Sequence, residues 1–145
     1  MEITEYEILN GLGGSCCGIK YVIENPGRKN GEAEILFRTV DETLQEIRQL
    51  FLDWGLHDED PIVHLNIFYP NGKGLNESRR ENMGNGVGGM VLNQISDTAV
   101  SRGRQAIYVF TIKKSMQAFL RKNGFHTFGY KNTLFAKKLG EHDSE

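Results

Sequence analysis

The sequence has few cysteines and almost no excess charge. Its 145 residues include two cysteines, which are adjacent, Cys16 and Cys17. Adjacent cysteines cannot close a structural loop and match no metal-ligand spacing, so a disulfide scaffold and a zinc site are both excluded. This usage is typical of a reducing compartment. We therefore expect a cytoplasmic protein without a bound metal.

Long hydrophobic segments and a basic stretch are also missing. No run of about eighteen apolar residues occurs, and the first residues, MEITEYEILN, lack the basic and then apolar order of a signal peptide. Seventeen Lys and Arg against nineteen Asp and Glu give a net charge of −2. No part of the sequence stands out as basic, so we expect neither a membrane nor nucleic acid among its partners.

The first sixty residues predict strands followed by one helix. The runs GIKYVIEN and AEILFRTV flank the turn-forming PGRKNGE, which indicates a hairpin. The stretch TVDE has the form of a capping box made by Thr39 and Glu42. Apolar residues follow it at helical spacing as far as Gly55. We expect a helix that begins at this box.

The rest of the chain predicts strands that alternate with two helices. IVHLNIFY is short and rich in branched and aromatic residues, as buried strands are. The polar segment from Pro70 to Gly86 predicts a long loop. A helix is predicted from Gly88 to Gly103, then a strand at QAIYVFTI, a helix at KSMQAFLRKNGF and one or two strands in HTFGYKNTLFAKKL. This order favours a single mixed α/β domain over residues 1–145, with a tail at 140–145.

A cluster of glycines precedes the helix predicted from residue 88. Glycines in this place leave backbone N–H groups open to an anion, which the helix dipole also favours. A nucleoside-triphosphate loop is excluded because Met90, and not lysine, follows Gly89. Gly84, Gly86 and Gly89 match the dinucleotide fingerprint formally, but no buried strand precedes them and no acid ends the next strand. We attribute that match to chance.

The segment from Gly84 to Leu139 resembles the acyl-CoA-binding half of the GNAT-type N-acetyltransferases. That family opens its central helix with Q/R-x-x-G-x-G/A and places a Gly-Phe pair after its closing helix. Gly86 and Gly88 fall on the motif glycines, and Gly124 with the next residue, phenylalanine, forms the closing pair. The resemblance implies an α/β (α+β) fold whose mixed, mostly antiparallel sheet is flanked by helices. It also implies that acetyl-CoA is the cosubstrate.

The resemblance further implies where the cosubstrate binds. Strands at 62–69 and 105–112 would splay apart and leave an edge for the pantetheine arm. The diphosphate would bind the backbone of the glycine loop, with an arginine of the preceding segment as an added contact. The implied residues are Gly84, Asn85, Gly86, Val87, Gly88, Gly89 and Arg80. The implied reaction moves the acetyl group directly to a primary amine of a small molecule or protein. The resemblance leaves both a monomer and a homodimer open as the oligomeric state.

Three side chains are candidates for acid–base chemistry. His64, on the strand before the loop, and Glu77, within the loop, are candidate bases for the ammonium proton. Tyr108, on the strand after the helix, is a candidate proton donor for the leaving thiolate. Each also has an ordinary structural role, as a strand residue or a solvated charge. The tyrosine that many members use as acid falls on Leu120, and the Q/R position of the motif falls on Met83.

Two other interpretations remain open. A module that keeps the fold but lacks the chemistry, and binds CoA or a protein, is favoured by the residues at the tyrosine and Q/R positions. A phosphate-ligand-binding protein unrelated to the family is the third. Residues 61–139 would be the acyl-CoA-binding part, residues 1–60 a divergent part without a family signature, and residues 1–30 an extension of the fold.

Overall fold

The computed structural model describes residues 2–9, 15–24, 31–69, 87–129 and 132–140. The loop predicted at 70–86 and the residues 141–145 of the predicted tail lie outside them. The described part contains seven strands and three α-helices. They are β1 (Glu2–Leu9), β2 (Ser15–Ile23), β3 (Gly31–Thr39), α1 (Gln45–Asp53), β4 (Pro61–Tyr69), α2 (Val87–Ser101), β5 (Ala106–Phe110), α3 (Lys114–Lys122), β6 (His126–Phe128) and β7 (Leu134–Lys138).

All seven strands belong to one sheet in the order β1-β2-β3-β4-β5-β7-β6. Neighbouring strands are antiparallel except for β4 and β5, which run parallel. The predicted mixed, mostly antiparallel sheet with flanking helices is therefore confirmed. β1 and β2, which the sequence left as an extension, form the first hairpin of the sheet and pair onward to β3.

The capping box does not begin the first α-helix. The backbone N–H of Thr39 donates to Glu42 Oε1 at 2.7 Å, and the box caps the 3-10 turn Val40–Glu42. Thr43 then returns to an extended conformation, and α1 starts two residues later, at Gln45. The predicted start of this helix is thus corrected, because the same capping geometry satisfies a 3-10 turn as well as an α-helix.

The sheet separates two apolar clusters. Helices α2 and α3 cover one face, called here the α2 face, and α1 covers part of the other, called the α1 face. On the α2 face the helices bury Val91, Leu92, Ile95, Ala99, Met116 and Leu120 against strand residues that include Val63, Leu65, Ile107 and Val109. On the α1 face, Val40, Ile47 and Phe51 pack on Ile62, Ala106, Tyr108, Leu134 and Ala136. The alternation along β4 and β5 fixes which face each side chain joins.

Two kinds of site are absent from the described residues. Within the described ranges, no helix is long and apolar enough to cross a bilayer. In the same ranges, no three His, Cys, Asp or Glu side chains are grouped as metal ligands. Cys17 is an exposed free thiol on β2.

Candidate functional site

The two parallel strands at the centre of the sheet diverge. Their register contains two pairs, Val63 with Ile107 and His64 with Tyr108. Beyond them β4 continues to Tyr69 along β3, while β5 turns with β7. The edge of β4 after His64 therefore has no β5 partner, and the two strands enclose a wedge. This is the divergence that the resemblance implied.

A β-bulge lies beside this wedge. The register between β3 and β4 shifts at Glu34, which pairs with Ile67, while Ile35 pairs with Leu65. Asn66 is the additional residue of β4, and a bulge of this kind bends a strand and turns a side chain away from its regular direction. Asn66 Nδ2 donates to Glu34 Oε1 at 2.5 Å. A carboxylate is thereby placed next to the wedge.

The face on which this carboxylate lies follows from the pairing. Leu36 is directly opposite His64 in the β3–β4 register, and directly opposite residues share a face. Glu34 is two residues from Leu36 on the same strand, so it projects to the same face as His64, the α1 face. Sequence reasoning missed Glu34, because its proximity to the wedge depends on long-range strand pairing.

The two glycines at the start of α2 have different roles. A Cβ on Gly88 would lie 3.2 Å from both Cε1 and Cζ of Phe119 and 3.9 Å from Phe68. The rings of Phe68 and Phe119 are themselves in contact, with centroids 5.7 Å apart. A Cβ on Gly89 would meet nothing within 4 Å. Gly88 therefore permits close packing of the helix end, whereas none of the described residues covers the backbone at Gly89.

The N-terminus of α2 can bind an anion. Its first-turn N–H groups, from Val87 onward, have no intrahelical acceptor, and the first turn contains no acidic residue. Of the predicted diphosphate contacts, Val87, Gly88 and Gly89 lie in this turn. The others, Arg80, Gly84, Asn85 and Gly86, lie outside the described residues, as does the candidate base Glu77. The assignment of this set to a diphosphate stays a prediction.

His64 and Tyr108 form the last pair before the strands diverge. Their rings are stacked, with centroids 4.6 Å apart and planes within 5°. Burial, with a smaller effect from the cation of Arg38, lowers the pKa of His64 to about 4. Burial raises the pKa of Tyr108 to about 12. Both side chains are thus neutral at pH 7.

These pKa values decide what the pair can do chemically. An efficient acid or base has a pKa near the working pH, and both groups have moved away from it. The Nδ1 atom of His64 and the Nε atom of Arg38 are buried and have no hydrogen-bond partner within the described structure. The geometry favours a neutral, packed role for the pair, and the catalytic assignments of His64 and Tyr108 stay predictions.

The residue at the family's tyrosine position is in the core. The Leu120 side chain is 0 % exposed and packs on the α2 face of the sheet. Phe119, one residue earlier, is the α3 side chain that contacts the start of α2. No phenol from α3 reaches the start of α2, since neither residue carries a hydroxyl group.

Comparison with known proteins identifies the fold. No protein-family model matches the sequence, and no curated protein matches it. Among solved structures, the KacTA–DNA complex is 14% identical with a TM-score of 0.52, over 85% of this chain and 67% of that one. AtaT complexed with acetyl-methionyl-tRNAfMet is 11% identical with a TM-score of 0.53, over 85% and 71%. AtaTR bound with acetyl-CoA is 13% identical with a TM-score of 0.53, over 85% and 70%.

At these identities the likeness establishes the fold alone, and the fold is GNAT-like. The comparisons also contradict one sequence-based prediction. Nucleic acid was excluded as a partner, yet two of these structures contain DNA or tRNA. The GNAT-like fold therefore gives no ground for that exclusion.

The net charge did not justify the exclusion of nucleic acid, because acidic and basic residues are concentrated in different segments of the chain. Residues 98–140 contain no Asp or Glu and carry nine basic residues: Arg102, Arg104, Lys113, Lys114, Arg121, Lys122, Lys131, Lys137 and Lys138. Residues 41–60, which include α1, carry seven acids and one arginine: Asp41, Glu42, Glu46, Asp53, Asp58, Glu59, Asp60 and Arg48. A total of −2 averages these two segments and hides both.

Proposed function

We propose that this chain binds acetyl-CoA and transfers its acetyl group to a primary amine by direct attack. The observation that carries the proposal is the wedge between β4 and β5 with the N-terminus of α2 in the same GNAT-like fold. The bare backbone at Gly89 suits a diphosphate, which the helix dipole also attracts. The edge of β4 after His64, which pairs with no strand among the described residues, suits the amide groups of a pantetheine arm.

The reaction requires a neutral amine. The amine nitrogen attacks the thioester carbonyl, the C–S bond breaks, and the CoA thiolate leaves with the electron pair. One proton must leave the ammonium group before attack, the nitrogen releases a second proton to water as the amide forms, and the thiolate takes up one proton from water. Since no phenol stands at position 120, water is the proposed donor to the thiolate.

Glu34 is the proposed acceptor of the ammonium proton. Its carboxylate lies at the bulge beside the wedge, hydrogen-bonded to Asn66 at 2.5 Å. A carboxylate attracts an ammonium group, whereas the cation of Arg38 beside His64 repels one. Charge therefore favours Glu34 over His64 for this step, directly or through one water.

The proposed acceptor is an amine carried at the end of an RNA. The structure of AtaT in complex with acetyl-methionyl-tRNAfMet, an RNA that bears an acetylated amine, supports this choice of acceptor. The basic segment 98–140 of this chain gives the charge that such an acceptor needs. A CoA-binding module without catalysis is the second candidate, and the buried Leu120 favours it.

The diphosphate site is tested by Met90→Glu, with Met90→Gln as the matched control. Met90 is 70% exposed on the first turn of α2. A carboxylate added there interacts favourably with the helix dipole, so the variant should fold. The same carboxylate repels a diphosphate bound at this helix N-terminus. We expect calorimetry to show weaker acetyl-CoA binding for the Glu variant, with the Gln variant unchanged. Gly86→Glu should weaken acetyl-CoA binding in the same way as Met90→Glu.

Catalysis is tested separately by free-thiol release from acetyl-CoA with aminoacylated RNA as acceptor. Release that depends on the RNA supports an enzyme. Binding of acetyl-CoA without release supports the noncatalytic module. Absence of any binding heat with a folded protein overturns both.

A further inference from the structure

The exposed ring of Phe110 lies on the α1 face, beside the wedge. Phe110 is directly opposite Leu134 in the β5–β7 register and two residues beyond Tyr108 on β5. Both relations place its side chain on the α1 face. Its ring is 58% exposed, whereas the other four residues of β5 are buried. A large aromatic ring is thus presented to solvent at the end of β5 that borders the wedge.

The carboxylate of Glu34 lies on the same face, across the wedge from this ring. Leu36, His64 and Tyr108 form one row across β3, β4 and β5. Glu34 and Phe110 each lie two residues beyond this row, about 7 Å along their strands and in the same direction. Where the sheet is paired, β3 and β5 are two strand spacings apart, about 10 Å. The carboxylate and the ring therefore face one opening from its two sides.

This separation suits a small organic group with one polar and one apolar end. A hydrogen bond to the carboxylate takes about 3 Å of the width, and a van der Waals contact with the ring takes about 4 Å. The remaining width holds a few carbon atoms. A primary amine whose neighbouring carbon carries an apolar side chain is a group of this size and has these two ends.

Residues 42–46 cross the α1 face from Tyr108 to Leu134. Burial and, to a smaller extent, the charge of Glu42 raise the pKa of Tyr108, so Glu42 lies within electrostatic range of that phenol. A Cβ on Gly129 would lie 3.1 Å from Glu46 Oε2 and 2.9 Å from Leu134 Cδ1. Glu46 is therefore close to Leu134, the residue opposite the exposed ring in the sheet. The segment between the two glutamates passes beside that ring.

Leu44, in the middle of this segment, adds a second exposed apolar side chain to the α1 face. It is 66% exposed. The charges on either side of Leu44 and Phe110 are negative, with Glu34 across the wedge and Glu42 in the crossing segment. Carboxylates attract an ammonium group, and an exposed apolar pair gains stability when an uncharged side chain covers it. The surface therefore combines attraction for an amine with an apolar contact beside it.

We propose that Phe110 and Leu44 form a subsite for an apolar side chain next to the acceptor nitrogen. The subsite rests on the proposed function, in which the amine is carried at the end of an RNA and Glu34 accepts its proton. On such an RNA the amine belongs to an esterified amino acid, so the subsite selects leucine-like over polar side chains. A cationic side chain also interacts with an aromatic face, but it gains nothing from Leu44.

The subsite is tested with a short RNA whose 3′ end carries leucine, serine or arginine through a stable amide bond. Calorimetry measures binding to the protein–CoA complex, and thiol release from acetyl-CoA measures kcat/KM. We expect the wild type to prefer the leucine RNA over the serine RNA about fivefold, since the subsite buries part of a side chain. Phe110→Ala should lose most of this preference through a higher KM for the leucine RNA at unchanged kcat, and Phe110→Leu should keep it.

Leu44→Ala is an independent second variant, and Ile3→Ala is the matched control. Ile3 is a 48% exposed strand residue on β1, where it is opposite Tyr21 and so projects to the α2 face. Its truncation should leave the preference unchanged. The replaced side chains are largely exposed, so all variants should fold, and thermal unfolding checks this. Loss of the preference in either folded variant, Phe110→Ala or Leu44→Ala, supports the subsite.

The other outcomes separate the subsite from the proposed function. Equal use of the leucine and serine RNAs by the wild type, or a preference that persists in both folded variants, overturns the subsite and leaves acetyl transfer standing. Preference for the arginine RNA also overturns the subsite, because charge then selects the acceptor. A preference in binding that depends on Phe110, without thiol release, supports the subsite and refutes only the enzyme. Absence of binding by all three RNAs overturns both.

Discussion

The imidazole of His64 lies parallel to the phenol ring of Tyr108, with centroids 4.6 Å apart, across the last paired rung of β4 and β5. Phe51 of α1 meets the same phenol edge-on at 6.1 Å. The apex of the wedge is therefore closed by packed, neutral rings. These ring contacts join the two strands at the apex, and beyond it the described part of β5 makes no pair with β4.

The stack predicts a loss of stability in acid. The pKa of His64 is about 4 in the folded chain against an ordinary 6.5, so the unfolded chain binds the additional proton between these values. The free energy of unfolding should fall as pH decreases from 6.5 to 4. The difference in pKa corresponds to a decrease of at most about 3 kcal/mol in the free energy of unfolding. The partial exposure of His64 reduces this decrease to about 2 kcal/mol.

Urea denaturation of wild type and His64→Phe at pH 7 and pH 4.5 measures this effect. The phenylalanine keeps the ring contact and cannot titrate, so the variant should lose less stability in acid than the wild type. His57→Gln, at an exposed histidine, is the control and should follow the wild type. An identical acid response in His64→Phe would show that other groups cause it.

The paired glycines of α2 predict opposite effects of the same substitution. Gly89→Ala adds a methyl group in open space and improves helix propensity, so it should stabilise the fold by about 0.5–1 kcal/mol. Gly88→Ala forces a methyl group to 3.2 Å from the Phe119 ring, and the gain in propensity is offset or reversed. Thermal unfolding of both variants tests this. Equal stabilisation of the two would contradict the close packing of α2 on α3.

Local patterns predicted most of the fold. Apolar spacing located α2 and α3, and the branched and aromatic composition of IVHLNIFY located β4. The start of α1 was wrong because Thr39 and Glu42 can cap a 3-10 turn equally well, and the extended Thr43 that follows carries no sequence signal. The role of β1 and β2 was missed since nothing local shows which neighbour a strand will pair with.

Less of the candidate site than of the fold could be predicted from the sequence. The pairing of Glu34 with Asn66 depends on a bulge between strands 32 residues apart in sequence, which no short motif encodes. The glycine motif located the start of α2, but not that Gly88 packs while Gly89 faces open space. The absence of acids from 98–140 was readable in the sequence and was hidden by the net charge.

Glu34→Gln tests the proposed proton acceptor. The amide can still accept from Asn66, so the fold should persist, while loss of a general base lowers kcat by about a hundredfold or more. The KM for acetyl-CoA should stay unchanged while kcat falls, a split that a purely structural role would not produce. Glu32→Gln is the matched control on the same strand. Equal kcat in Glu34→Gln and the wild type would exclude this role.

Leu120→Tyr tests whether the family's acid can be restored at this position. The Leu120 side chain is 0 % exposed among the core residues of the α2 face. A tyrosine there adds volume and a hydroxyl group without a partner, so we expect a loss of about 1–3 kcal/mol in stability and no gain in thiol release. Leu120→Phe adds nearly the same volume without the hydroxyl group, and the difference between the two variants isolates the polar cost. Faster release by Leu120→Tyr at unchanged stability would mean that position 120 faces the thioester. In that case α3 would have to be rotated about its axis relative to the sheet.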